Sequence, residues 1–297
     1  MASSIEENVT DSSDEEVATK KLDTIDTKKH VTFDSRTFQY YEAIYEPSPI
    51  PQPIDDPVFT ISIGSNNQIW GLTQLGRLFQ LLHQETNTGL WKPFESTISF
   101  ESISVTKKGV LFGVDKDCGR IYKMGSHRTM EPLSQDINCY SFKSISNRSS
   151  RKIFAITSDY LPVYVHIHVL RRGKCQWRRL GSEKIKKISV GGRGAIGKSE
   201  LWGLDMNDEA VKWSEQSNTW IKADEKLLDL SVSSDNVVYG IRKYDGMLVK
   251  YDLLKRMFIH EINSEQNRPL TNVAAYKQGR CVFSVDQITG NLVKMIV

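Results

Sequence analysis

Ile61-Ser62-Ile63-Gly64-Ser65-Asn66-Asn67-Gln68-Ile69-Trp70-Gly71-Leu72, followed at once by Gly76-Arg77-Leu78-Phe79, decides the fold of this 297-residue chain. Apolar and polar residues alternate through Ile61-Ser62-Ile63, the mark of a strand with one face buried. Ser65-Asn66-Asn67 supplies a tight polar turn, Ile69–Leu72 a second strand, and Gly76 a second turn before a third strand at Leu78-Phe79.

The same phrase returns down the chain. Its openings are Ile61-Ser62-Ile63, Ile103-Ser104-Val105, Ile145-Ser146-Asn147, Ile188-Ser189-Val190, Leu230-Ser231-Val232 and Val273-Ala274-Ala275, spaced by 42, 42, 43, 42 and 43 residues. An aromatic second strand follows each opening, carrying Trp70, Phe112, Phe154, Trp202, Tyr239 or Phe283. A third strand comes next, at Leu78-Phe79, Ile121-Tyr122, Val163-Tyr164, Val211–Trp213, Leu248–Lys250 and Leu292–Lys294. A fourth carries Trp91, Met130, Trp177, Trp220 or Phe258. Four antiparallel strands at a period near 42 predict an all-β, six-bladed β-propeller over residues 58–297. The six second-strand aromatics are then expected to pack between blades, and the glycine after them to admit neighbouring backbone near the axis. The fourth unit places Trp202 14 residues after Ile188 where most units use 9, making Gly191–Lys198 a long inner loop and a candidate binding loop. The last unit ends at Val297 with no room for a fourth strand, so residues 36–46 are the expected donor that closes the ring.

Residues 1–57 are different. Met1–Lys29 mixes acidic and basic residues with Ser and Thr and has no aromatic, which predicts a disordered tail. Pro47, Pro49, Pro51, Pro53 and Pro57 then make an extended linker. For the whole chain, 39% hydrophobic and 25% charged residues are ordinary for a globular protein, and a net charge of +3 is too mild to imply nucleic acid. No apolar run reaches the length of a membrane span, and the start lacks a secretory pattern. Cys118, Cys139, Cys175 and Cys281 are scattered, which predicts reduced, buried thiols in a cytoplasmic or nuclear protein. The sequons at Asn8 and Asn147 then carry no glycan.

The Ile-Ser-Ile-Gly-Ser-Asn-Asn-Gln-Ile-Trp-Gly-Leu phrase, with a Trp strand later in the unit, resembles the tectonin repeat. Units one and four match best, and units three and six depart from it with Phe154-Ala155 and Phe283-Ser284 in place of Trp-Gly. The resemblance implies a monomeric propeller serving as a binding platform. Its ligand is either a glycan, as in tectonin-type lectins, or a protein, as in intracellular members tied to membrane traffic and autophagy.

Lys29-His30-Val31-Thr32-Phe33 fits the basic-x-Val-x-Phe docking motif of protein phosphatase type 1 regulators. An extended peptide that adds a strand to a sheet edge points Val31 and Phe33 into apolar pockets on one side and Thr32 outward. Lys28 and Lys29 would meet acidic surface. Tyr40-Tyr41 lies seven and eight residues after Phe33, where many such regulators place a second apolar pair. The competing reading puts Val31, Phe33 and the tyrosines in the strand that closes the ring. Phosphorylation of Thr32 would set about two negative charges beside the apolar anchors and oppose docking. Ser12 and Ser13, before Asp14-Glu15-Glu16, fit an acidophilic-kinase pattern.

Arg171, Arg172, Lys174, Arg178, Arg179, Lys184, Lys186 and Lys187 form a basic stretch. It reads either as a patch for an anionic partner, lipid headgroups included, or as charge protecting an outer strand. His166 and His168 share a strand face without a third ligand, so no metal is expected, and no cofactor motif is present. No nucleophile–base pair or catalytic carboxylate pair can be singled out, so the sequence reads as a non-enzyme. The leading expectation is a targeting subunit of protein phosphatase type 1, docked through the tail. The alternatives are a lectin-like propeller and a membrane-traffic adaptor.

Overall fold

The computed structural model describes residues 56–297 apart from 65–67, 83–89, 107, 134–141, 147–151, 168–175, 193–198, 261–268, 277–280 and 289–290. All described residues fall in one compact unit, Tyr41–Val297. The docking motif, Ser12, Ser13, the tyrosine pair and the expected donor strand 36–46 lie outside the described residues, as does most of the inner loop 191–198.

Every described sheet is an antiparallel meander. The first sheet is β1 (Val58–Ile63), β2 (Ile69–Thr73), β3 (Leu78–Leu82) and β4 (Leu90–Phe94). The second is β5 (Phe100–Val105), β6 (Leu111–Asp115), β7 (Ile121–Met124) and β8 (Met130–Pro132). The third is β9 (Phe142–Ser146), β10 (Lys152–Thr157), β11 (Pro162–His166) and the two-residue β12 (Arg178–Arg179). Seven strands then run without a break: β13 (Ile185–Val190), β14 (Leu201–Asp205), β15 (Glu209–Ser214), β16 (Thr219–Val232), β17 (Val238–Arg242), β18 (Leu248–Asp252) and β19 (Met257–His260). The 14-residue β16 makes the join, its first part pairing with β15 and Leu227–Val232 pairing with β17. The chain bends between the two parts, where Asp224 takes a positive φ of 52°. The last sheet is β20 (Leu270–Tyr276), β21 (Cys281–Asp286) and β22 (Leu292–Ile296), three strands among the described residues.

Face-to-face packing explains why the second strand of each meander is apolar at nearly every position. β2 and β21 are buried along their whole length, and β6, β14 and β17 everywhere but the last residue. The core is divided into buried clusters that each span two successive meanders. Trp70 packs with Phe100 and Ile103, Phe112 with Phe142 and Ile145, and Phe154 with Ile185 and Ile188. Trp202 packs with Leu227 and Leu230, and Tyr239 with Leu270 and Val273. Phe283 then packs with Val58 and Ile61, so the last sheet meets the first and the ring closes. This is a β-propeller arrangement. Each of the six aromatics singled out in the sequence sits in a different cluster, where a ring of that size buries about 150–250 Å².

The glycine after the aromatic is required by side-chain crowding in some meanders and by backbone in another. A Cβ on Gly71 would lie 2.7 Å from Val58 Cγ1, and one on Gly240 2.5 Å from Leu227 Cδ1. At these two positions the crowding group is the first side chain of the same meander, whereas at Gly203 it is backbone as expected, the Lys187 carbonyl oxygen at 2.8 Å. Cys281 is buried, but Cys118 is exposed on the β6–β7 turn, contrary to expectation.

Candidate functional site at the axial cavity

The first strand of each meander lies innermost, and its register carries a repeated irregularity. In β1, Val58 pairs with Thr73 and Thr60 with Leu72, leaving Phe59 unpaired. The same one-residue bulge leaves Glu101 unpaired in β5, Lys143 in β9, Lys186 in β13, Leu228 in β16 and Thr271 in β20. A bulge re-aims the extra side chain and frees it from the pattern imposed on its neighbours. Packing repeats on both sides of this position, yet the six residues on it are Phe, Glu, Lys, Lys, Leu and Thr.

Backbone hydrogen bonds fix this end of each strand. The carbonyls of Gly76, Gly119, Tyr160, Asp208 and Gly246 accept from the N–H groups of Phe100, Phe142, Ile185, Leu227 and Leu270 at 2.8–2.9 Å. All five acceptor residues have positive φ, between 65° and 83°. The turn joining second and third strands is therefore pinned to the start of the next meander, and the bulge residues share a face with those turns.

Further along the strands, the serine of the repeated phrase joins one meander to the next. Val105, Val190, Val232 and Ala275 donate their N–H groups to Oγ of Ser62, Ser146, Ser189 and Ser231 at 2.9–3.1 Å. The residue just before the opening provides a second set in three units. Ile145 N–H donates to Ser102 Oγ, Val273 N–H to Asp229 Oδ2 and Ile61 N–H to Asn272 Oδ1. Asp229 is buried and saturated with donors. Lys187 Nζ and Leu230 N–H reach Oδ1, while Asn272 Nδ2 (2.5 Å) and Val273 N–H (2.9 Å) reach Oδ2.

These strands enclose a cavity of about 220 Å³ on the axis. The charged groups on its wall are Lys143, Lys186, Lys187 and Glu101. Lys186 pairs with Asp208, which also takes Lys243. Burial pushes the Lys186 ammonium below the ordinary lysine value, Lys243 adds to that effect, and Asp205 and Asp229 oppose it. Lys143 donates to the Tyr160 hydroxyl at 3.0 Å and lies 4.5 Å from the ring centroid. That hydrogen bond is the main cause holding the Lys143 ammonium above its usual value.

The basic stretch read from the sequence is therefore not one surface. Arg178 and Arg179 are exposed on the outer strand β12, and Lys184 is exposed before β13. Lys186 and Lys187 instead turn to the axis, because β13 is an innermost strand. Arg171, Arg172 and Lys174 lie outside the described residues, as does His168. Among the described residues no group of His, Cys, Asp and Glu could hold a metal ion. No described helix is long and apolar enough to cross a membrane. Of the bulge residues only Lys186 stands out in the sequence, as part of the basic stretch, because the other five are unremarkable alone. Aligning the six units would have exposed them as the variable column two places before each Ile-Ser opening.

No protein-family model matches the chain, and no curated protein matches it. Solved structures do resemble it. Virginiamycin B lyase from Staphylococcus aureus superposes with a TM-score of 0.55 at 7% identity, covering 86% of this chain and 100% of the lyase. A catalytically inactive variant of that lyase with quinupristin gives 0.56 at 9% identity, with the same coverage. A gluconolactonase from Xanthomonas campestris gives 0.57 at 8% identity, covering 81% of this chain and 86% of the lactonase. At such identities the likeness is one of fold, and the fold these comparisons support is the β-propeller.

Proposed function

We propose that this chain is a non-catalytic targeting subunit of protein phosphatase type 1. The tail docks the catalytic subunit through Lys29-His30-Val31-Thr32-Phe33 and Tyr40-Tyr41, and the propeller binds the substrate or the location. We read the propeller as tectonin-like and six-bladed, counting the seven-stranded sheet as two blades that share β16. The observation that carries the reading is the docking sequence itself, lying ahead of a domain whose first and last sheets pack directly on each other.

The test is recovery of the phosphatase catalytic subunit from lysate on the full chain and on a Val31→Ala/Phe33→Ala variant. Recovery is expected to fall to background with the variant, and Thr32→Glu is expected to reduce it as well. Equal recovery by all three forms would remove the proposal. Strong binding of the full chain to a glycan array would favour the lectin-like reading instead.

A further inference from the structure

We propose that the axial cavity is a binding site for a small oxyanion of the phosphate class. Three lysines, Lys143, Lys186 and Lys187, line it together with one glutamate, Glu101, which lies near Lys143. Lys186 and Lys187 are ion-paired with Asp208 and Asp229, so the surplus on the wall is one of N–H hydrogens rather than of net charge, and Asp229 has no acceptor capacity left for a cation. The serines add to the donor excess. Ser62, Ser102, Ser146, Ser189 and Ser231 all line the cavity, and each Oγ already accepts a backbone N–H. Among the described residues no acceptor takes their hydroxyl hydrogens, which are free to donate into the cavity. Donors that converge around an axis from several sheets can meet the several oxygens of a tetrahedral anion at once.

The mouth of the cavity is asymmetric. Lys143 and Lys186 sit on adjacent meanders, and the bulge residues Leu228, on the meander after Lys186, and Phe59, on the first, are exposed. Tyr244 and Ile288, on the turns of the fifth and sixth meanders, are about three-quarters exposed (73% and 74%). The anion could therefore arrive free or on a phosphorylated side chain flanked by apolar residues, the second source making use of this apolar arc.

Calorimetric titration of the full chain with sodium phosphate, and with a Leu-Leu-phosphoserine-Leu-Leu peptide, tests the site. One equivalent of phosphate is expected to bind, with affinity falling at least about tenfold in Lys143→Gln/Lys186→Gln. Glu101→Gln is expected to tighten binding by about threefold, as repulsion is removed. Tighter binding of the peptide than of phosphate identifies a phosphorylated partner as the source, and equal binding identifies the free anion. Absence of saturable binding by both probes overturns the proposal. So does full affinity in the double-lysine variant, provided its circular dichroism is that of the unaltered chain. Val31→Ala/Phe33→Ala is expected to leave phosphate binding unchanged, so the site and the tail fail separately.

Discussion

Gly71, Gly113 and Gly240 show how one residue type sets the geometry of a whole meander. Each lies under the first buried side chain of its own sheet, Val58, Phe100 or Leu227, where a Cβ meets that side chain inside van der Waals contact. Gly113→Ala should therefore cost about 1–3 kcal/mol, the usual penalty of overpacking. Its cost should shrink in a Phe100→Ala background, because the clashing ring is gone. Chemical denaturation of the two single variants and the double variant checks both statements through the coupling energy. Ser231 gives a second prediction at this scale. Ser231→Ala leaves the Ala275 N–H without its acceptor and should destabilise by about 1–3 kcal/mol, read from the same denaturation curves.

At the scale of the element, the turns carry the more specific information. The β18–β19 turn is ordered by Asp252, whose Oδ1 accepts from the N–H groups of Leu254 (2.8 Å) and Lys255 (3.1 Å). The Lys255 hydrogen bond is the main cause holding the Asp252 carboxyl below the ordinary aspartate value. With a depressed folded pKa, this local stabilisation is complete above the ordinary aspartate value and is lost as pH falls through the folded pKa. The amide proton shifts of Leu254 and Lys255 should titrate with a midpoint below that ordinary value. A midpoint at or above it would mean the turn does not hold the carboxylate.

The strands of each meander could be read from the sequence because alternation, turn residues and the 42-residue spacing recur together, as at Ile61–Leu72. The bulges could not. A bulge adds one residue without changing composition, so Phe59 or Lys186 looks like any strand residue until its partners are known. The division of the basic stretch escaped for a related reason. Outer and inner strands of successive meanders are close in sequence, so Arg179 and Lys186 read as neighbours although they occupy opposite edges of sheets.

At the scale of the molecule, ring closure is where the repeat departs from itself. Unit six has Ala274 where the other units have serine, and its link to the first strand passes through Asn272. Asn272 accepts from Ile61 N–H and donates to Asp229, which ties the closing sheets to the buried carboxylate. Asn272→Ala should therefore destabilise the whole domain by about 2–4 kcal/mol, since two buried hydrogen bonds are lost together. Its effect should be far from additive with that of Asp229→Asn, which thermal unfolding of the single and double variants would show.

On the proposed reading, the ring serves as a platform and the docking sequence ahead of it as a tether. Calorimetric titration of purified phosphatase type 1 catalytic subunit into the full chain tests it most directly. One saturable site is expected, with affinity at least about 100-fold lower in Val31→Ala/Phe33→Ala, because two apolar anchors are removed. The thermal unfolding midpoint of the propeller should not change. Equal affinity in the variant, or the same affinity shown by a fragment of residues 56–297, would contradict it.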